Sequence, residues 1–198
     1  NRGDKIRSVL NIYEYTEDAP TYPTIVSTNR DDGSPIPWAA MSGLAAEGSD
    51  TLYAVEDSFF GSNRIFGIDI SVTPAVLDTE ITIRDTNDVF ATEAPTDDEG
   101  KPDDVFDSED LAAMINLLDD KSVNIDPEGI AVATGGGYCV ASEGSGTVGD
   151  AARPVTSLNF IFKVDSAGVI EAVVALPDEL NANQLRFGFE GIAEYDGK

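Results

Sequence analysis

The 198-residue chain carries 37 Asp and Glu against 12 Lys and Arg, has a formal net charge of -25, and contains no histidine. So acidic a surface repels nucleic-acid phosphates and anionic membranes, which leaves cations as its natural counterparts and predicts no nucleic-acid partner. Without histidine, Ser-His-Asp and Cys-His nucleophile systems and His-ligated zinc are excluded, so any catalysis has to use carboxylates, hydroxyls, Lys, Arg, Tyr or a bound metal.

Cysteine content and hydropathy further restrict the class of protein. Cys139 is the single cysteine, so no intrachain disulfide can form, and its apolar surroundings at 138–141 predict a small buried side chain rather than a reactive one. No stretch approaches the roughly 18 apolar residues of a membrane span. If the protein is exported, we expect its signal to have been removed before Asn1.

The chain opens with an alternating segment and then a unit of four short apolar runs. Residues 8–15 alternate and predict a strand that pairs with the blades. After Ser-Gly-Leu-Ala at 42–45 come three further runs rich in β-branched and aromatic residues, at 52–57, 65–69 and 75–83, separated by turn residues. Four such runs predict four strands.

The same unit recurs later in the chain. Glu-Gly-Ile-Ala at 128–131 aligns with 42–45, and Gly43 is followed by Asp57 at the same 14-residue spacing at which Glu143 follows Gly129. The remaining runs of this second copy are 138–143, 161–165 and 168–176. Its glycine run, 135–137, predicts a hairpin turn rather than a phosphate-binding loop.

A third copy of the tetrapeptide, at 190–193, is followed by only a few residues. Four strands per unit is the blade of a β-propeller, so we predict an all-β fold of four-stranded antiparallel blades. Gly43, Gly129 and Gly191 are expected at equivalent places near the blade starts. We expect residues 1–198 to be a single propeller region that is incomplete, with the remaining blades of the same propeller outside the sequence.

An acidic insertion separates the first two copies, at 85–126. Lys101 and Lys121 are its only cations. The pattern predicts a loop or lid over 92–107, and then one helix from Glu109 to Leu118 with Ser108 as its N-cap. Whether the loop is a lid or a disordered excursion stays open.

Three features resemble the phytase-like domain, the esterase-like activity of phytase family. They are Asn-Ile-Asp-Pro-Glu-Gly-Ile-Ala at 124–131, the acid at Glu143, and Phe-Gly-Phe-Glu-Gly-Ile-Ala at 187–193. The resemblance extends from about Trp38 to the end of the chain. It implies a bacterial propeller, periplasmic or extracellular, with repeated acids on one face and a proposed phosphoesterase activity. The chain departs from the pattern at Ser42, where the other copies have glutamate.

Acids at repeat-defined positions are the candidate site residues, because equivalent positions of successive blades converge around the propeller channel. Carboxylates gathered without cations raise one another's pKa unless a metal neutralises them, and hard oxygen ligands suit Ca²⁺. Glu128, Glu143 and Glu190 are also the candidates for catalysis. The predicted calcium ligands are Asp57, Asp126, Glu128, Glu143 and Glu190.

Two alternatives for these acids stay open. The glutamate of Glu-Gly-Ile-Ala can instead accept hydrogen bonds from the neighbouring blade's backbone and hold the ring together. In the first copy, which has Ser42, Glu56 and Asp57 are the acids expected to compensate. Cations that could meet a phosphate have no repeat-defined position; they are Arg64, Arg84, Arg153, Lys163 and Arg186.

Three functions from different classes are compatible with these residues. The first is a calcium-dependent hydrolase acting on a phosphoester or a calcium-phosphate ligand. The second is a non-catalytic exported propeller that binds a partner across its acidic face. The third is a calcium-binding structural domain of a larger surface protein.

Overall fold

The structure, a computed structural model, describes residues 24–92, 120–147, 149–177, 180 and 185–197. Within these residues the protein is all-β, with nine strands in two sheets and short 3₁₀ turns at Ser58–Phe60 and Val89–Thr92. The predicted all-β class is therefore confirmed. The predicted strand at 8–15 and the predicted helix from Glu109 to Leu118 lie outside the described residues.

The first sheet contains the predicted four-stranded blade and one additional strand. Its order is β1-β5-β4-β3-β2, in which β2 to β5 form an antiparallel meander and β1 joins β5 in parallel. The additional strand β1 covers the outer edge of β5, where unpaired backbone groups would otherwise be exposed. The strands are β1 (Ile25–Ser27), β2 (Met41–Glu47), β3 (Thr51–Glu56), β4 (Arg64–Asp69) and β5 (Ala75–Thr82).

The second sheet repeats the meander in the order β6-β7-β8-β9, with all neighbours antiparallel. Its strands are β6 (Asp126–Val132), β7 (Tyr138–Glu143), β8 (Phe160–Val164) and β9 (Ile170–Ala175). Both innermost strands carry a register shift just before their glycine, between Met41 and Gly43 in β2 and between Pro127 and Gly129 in β6. The two sheets are thus copies of one supersecondary unit, the propeller blade.

The repeated glycines bring the innermost segments into backbone contact. A Cβ on Gly43 would lie 2.8 Å from the Cα of Gly129, and a Cβ on Gly129 would lie 2.7 Å from the Cα of Gly191. None of the three has a positive φ, so they serve close approach and not an unusual backbone conformation. Gly191 occupies the place expected for a third blade, although no strand is assigned over 185–197.

The turns agree with their predicted chemistry. Gly135, Gly136 and Gly137 all have positive φ and connect β6 to β7. Asp69 accepts a hydrogen bond from the Ser71 N–H, and Asp165 accepts from the N–H groups of the residues at 167 and 169. These are Asx turns, in which the short carboxylate satisfies backbone donors locally.

The ends of the acidic insertion are part of the core. Phe90 and Val123 are fully buried with the apolar residues of both blades, and Phe90 packs edge-on against Phe160 with ring centroids 5.0 Å apart. The buried Asp85 carboxylate accepts hydrogen bonds from N–H groups of the 3₁₀ turn at Val89–Thr92. The described ends of the insertion are therefore packed into the core, and residues 93–107 of the predicted loop lie outside the described residues.

Candidate functional site

Three of the predicted site residues meet at the start of the second blade. Carboxylate oxygens of Asp126, Glu128 and Glu143 all lie within 4.8 Å of one another. Asp126 and Glu143 are direct cross-strand partners in the β6–β7 ladder. Glu128 is the extra residue of the β6 bulge, and bulges re-aim side chains relative to the regular ladder. We call Asp126, Glu128 and Glu143 the acid triad.

Burial and neighbouring negative charges raise the pKa values of two acids of the triad. Burial, followed by the charges of Asp57 and Glu143, raises the pKa of Asp126 to about 6. Burial, followed by the charges of Asp126, Glu143, Glu190 and Asp57, raises the pKa of Glu128 to about 7. Because Asp57 and Glu190 both act on Glu128, the structure places all five sequence-predicted acids in one electrostatic neighbourhood.

Glu143 has a structural contact in addition to its place in the triad. It is only 7% exposed, and its carboxylate accepts a hydrogen bond from the Phe187 N–H, just before the third tetrapeptide copy. The inter-blade role considered for the motif glutamate is therefore filled by Glu143. Among the described residues no such backbone donor is found for Glu128 or Glu190.

Asp57 and Glu56 behave differently in the first blade. Asp57 is half-buried, and its carboxylate accepts a hydrogen bond from the Ser58 hydroxyl at 3.0 Å. Glu56 is fully buried and bound by both Arg64 Nε and Nη2 at 2.7 Å. Glu56 is thus held by Arg64 within the first blade, and of the two acids considered to compensate for Ser42 only Asp57 acts on the acid triad.

A buried asparagine positions the start of β6. The Asn63 side chain accepts a hydrogen bond from the Ile125 N–H at 2.7 Å and donates to the Ile125 carbonyl at 3.0 Å. Ile125 directly precedes Asp126, so this clamp fixes the backbone that carries the first acid of the triad. Asn159 stands at the same place in the second copy and is also fully buried, and its Oδ1 accepts a hydrogen bond from the Gly144 N–H at 3.3 Å.

Of the five cations considered for phosphate, four are engaged elsewhere. Arg64 pairs with Glu56 and Glu80; the other three pairs are Arg84 with Asp120, Arg153 with Asp150, and Lys163 with Glu171. Arg186 is the one whose charge acts on the triad, where it lowers the pKa of Asp126 against the larger effect of burial.

The donor set of this site fits a hard divalent cation. All the clustered ligand atoms are carboxylate oxygens, and burial and mutual repulsion raise two of the three pKa values, a cost that a bound cation would remove. Ca²⁺ accepts several oxygen ligands in flexible geometry. Asp126, Glu128 and Glu143 would hold such an ion, with Asp57 and Glu190 nearby.

The repeated blades and the acid cluster define a β-propeller domain with a candidate cation site. The model of the Phytase-like family, described as esterase-like activity of phytase, matches residues 36–198, and the chain belongs to this family. No curated protein and no solved structure matches the chain. Among the described residues, no helix has the length and apolarity needed to cross a membrane.

Sequence reasoning missed the Asn63 clamp and the Arg64 network for different reasons. A signal for the asparagine was present in the sequence, since Asn63 and Asn159 both directly precede the third strand of their blade, β4 and β8. The ion pair had no repeat signal, because the second copy has Ser142 and Phe160 where the first has Glu56 and Arg64.

Proposed function

We propose that this domain belongs to a calcium-dependent phosphoester hydrolase. The proposal depends on the acid triad, in which three carboxylates lie close enough together to bind one ion. Membership of the Phytase-like family supports a phosphoesterase-type domain. A free phosphate ester is repelled by a chain of net charge -25, so a cation at the triad would also be needed to admit the substrate.

Four of the five acids divide by environment into two roles in this proposal. Asp126, Glu128 and Glu143 hold the cation, which when bound supplies positive charge for phosphate oxygens and lowers the pKa of water. Glu143 is unsuited to proton transfer because it is buried and bound to the Phe187 N–H. Glu190 is exposed, and it is the candidate base that accepts a proton from the attacking water at its carboxylate.

Arg186 has a supporting role in the same proposal. Its charge already acts on Asp126. A guanidinium beside a cation site can contact phosphate oxygens in pairs, so Arg186 would orient the ester and stabilise its developing negative charge.

We extend the proposal to a periplasmic or extracellular location in a bacterium. Calcium sites of extracellular modules work at the ~10⁻⁴–10⁻³ M concentrations found outside cells, where a half-exposed site with few ligands is sufficient. Under this proposal the rest of the propeller supplies the other walls of the substrate channel.

A calcium-binding structural domain is the second candidate. It is favoured by the contact between Glu143 and Phe187, since an ion at the triad would then connect the second blade to the third tetrapeptide copy. A non-catalytic module that binds a partner across its acidic face is the third.

Hydrolysis of a chromogenic phosphoester and of calcium phytate by the full-length protein, with and without chelator, tests the proposal, and residues 1–198 alone are expected to be inert. We expect turnover only with Ca²⁺, and a loss of at least about a hundredfold in kcat for Glu190→Gln with calcium binding unchanged. Glu171→Gln, which changes an acid on β9 paired with Lys163, is the matched control and should retain activity. Absence of turnover in every condition, while Ca²⁺ still binds, would overturn the hydrolase in favour of the structural domain.

A further inference from the structure

A cleft of about 320 Å³ lies beside the acid triad. Its walls come from both blades. Ser58 begins the 3₁₀ turn after β3, residues 124–126 lead into and begin β6, and the connection between β7 and β8 contributes Ser145, Thr156 and Ser157. Asp126 lines this cleft as well as belonging to the triad. The proposed hydrolase gives the cleft no role.

The chemistry of the lining restricts the ligand. It comprises four hydroxyls, one amide, one carboxylate and the side chain of Ile125, and none of these seven residues is a Lys or Arg. An anionic ligand would meet Asp126 without a countercharge from the cleft walls. A purely apolar ligand would remove water from these polar groups without replacing their hydrogen bonds.

The lining also has hydrogen-bonding capacity that the protein does not use. Asn124 Oδ1 is buried and has no hydrogen-bond partner among the described residues. The hydroxyls of Ser145 and Thr156 are 3.0 Å apart and share one hydrogen bond, which leaves further donor and acceptor positions on the pair. A buried acceptor without a partner is costly, and a ligand O–H that pairs with Asn124 Oδ1 would remove that cost.

We propose that this cleft binds an uncharged, polyhydroxylated ligand of monosaccharide size. Its volume corresponds to roughly ten water molecules, which a single sugar ring with its hydroxyls can replace. Each ligand hydroxyl both donates and accepts, which matches a lining that offers hydroxyls, an amide and a carboxylate together. Ligand binding in this cleft needs neither calcium nor hydrolysis, so its test is independent of the test of the proposed function.

NMR titration of the protein in calcium-free buffer tests this assignment. The neutral probes are glycerol, sorbitol, methyl α-glucopyranoside and methyl β-galactopyranoside, and sodium phosphate is the anionic probe. We expect at least one sugar or polyol to give saturable shifts at Ser58, Asn124 and Thr156 at millimolar concentration, and phosphate to give none there. Because the buffer holds no calcium, failure of the hydrolase assay leaves this result unaffected.

Thr156→Val removes one lining hydroxyl with little change of shape and should weaken the binding at least about fivefold. Thr79→Val makes the same chemical change at an exposed position on β5 and should leave the affinity unchanged. If Thr156→Val lowers stability, Ser58→Ala replaces it. Ser58 is an exposed residue of the cleft wall, and its loss should also weaken the binding. The proposal is overturned if no neutral probe saturates at roughly 0.1 M, or if the lining variants bind as tightly as the parent.

Discussion

Gly43 and Gly129 are in backbone contact, so close that a Cβ on Gly43 would lie 2.8 Å from the Cα of Gly129. The next pair repeats the relationship, since a Cβ on Gly129 would lie 2.7 Å from the Cα of Gly191. The glycine of the repeated tetrapeptide is therefore the point at which one innermost segment packs on the next.

This contact predicts very different outcomes for two identical substitutions. Gly129→Ala places a methyl group against backbone that cannot move aside, and should lower the free energy of unfolding by about 2–3 kcal/mol. Gly191→Ala meets nothing within 4 Å among the described residues and should change it by less than about 0.5 kcal/mol. Chemical denaturation of both variants checks this; equal destabilisation would contradict the stacked-glycine geometry.

The Asn63 clamp predicts a large cost for removing one buried amide. Asn63→Ala leaves both the N–H and the carbonyl of Ile125 without their side-chain partner, and should destabilise the fold by about 3 kcal/mol. Asn29→Ala, at an exposed position, is the matched control and should be close to neutral. An unfolding midpoint for Asn63→Ala equal to that of the control would show that water replaces the clamp without loss.

The first blade has a buried ion pair where the second has Ser142 and Phe160, and this predicts a non-additive pair of substitutions. Arg64→Phe alone leaves Glu56 buried without its cation and should cost about 3–5 kcal/mol. Adding Glu56→Ser reproduces the second blade's pair and should recover at least half of that loss. Thermal unfolding of the single and double variants decides the point, and strict additivity would mean that Glu56 does not depend on Arg64.

The raised pKa values of Asp126 and Glu128 predict the pH dependence of calcium-free stability. Their folded pKa values, about 6 and about 7, lie above the ordinary 3.8 and 4.5, so the folded state binds protons more tightly. The two acids therefore cost nothing below about pH 4, and the penalty grows as pH rises from the ordinary pKa values through the folded ones and is complete at about pH 8.

The variant Glu128→Gln separates this destabilising effect from the contribution of acids elsewhere in the protein, whose pKa values are lowered. At pH 8 without calcium it should stabilise the protein by about 1 kcal/mol after allowance for solvent screening, or a Tm rise of about 2–4 °C, and the gain should vanish near pH 4. Glu171→Gln should show no such gain. A lower Tm for Glu128→Gln at pH 8 would contradict the repulsion on which the site depends.

Most of the fold could be predicted from the sequence because local signals and the repeat agreed. The tetrapeptide glycine, the 14-residue spacing to an acid and the alternating runs each predict the same four-stranded unit. Strand β1 was missed because Ile25–Ser27 is too short to show an alternation of apolar and polar residues. Its parallel pairing with β5 depends on tertiary packing.

The site was predictable only where the repeat marks it. Repeat alignment brought out Glu128 and Glu143, and their proximity in the structure agrees with that placement, while their metal-binding role stays a prediction. Arg186 could not be distinguished from the other four candidate cations, because it precedes the third tetrapeptide copy and no equivalent cation precedes the first two copies. The burial that removes Glu56 from the site depends on its register opposite Arg64, which composition alone does not show.

Calorimetric titration with Ca²⁺ tests the central claim, that the acid triad forms one cation site, most directly. The protein should bind Ca²⁺ with saturable heat, and Asp126→Asn, Glu128→Gln and Glu143→Gln should each weaken the affinity at least about tenfold through lost charge and coordination. Glutamine at 143 keeps an acceptor for the Phe187 N–H, so the fold is expected to survive that change. Glu171→Gln should bind as the parent does. Equal calcium affinity in the parent and all three triad variants would contradict the account.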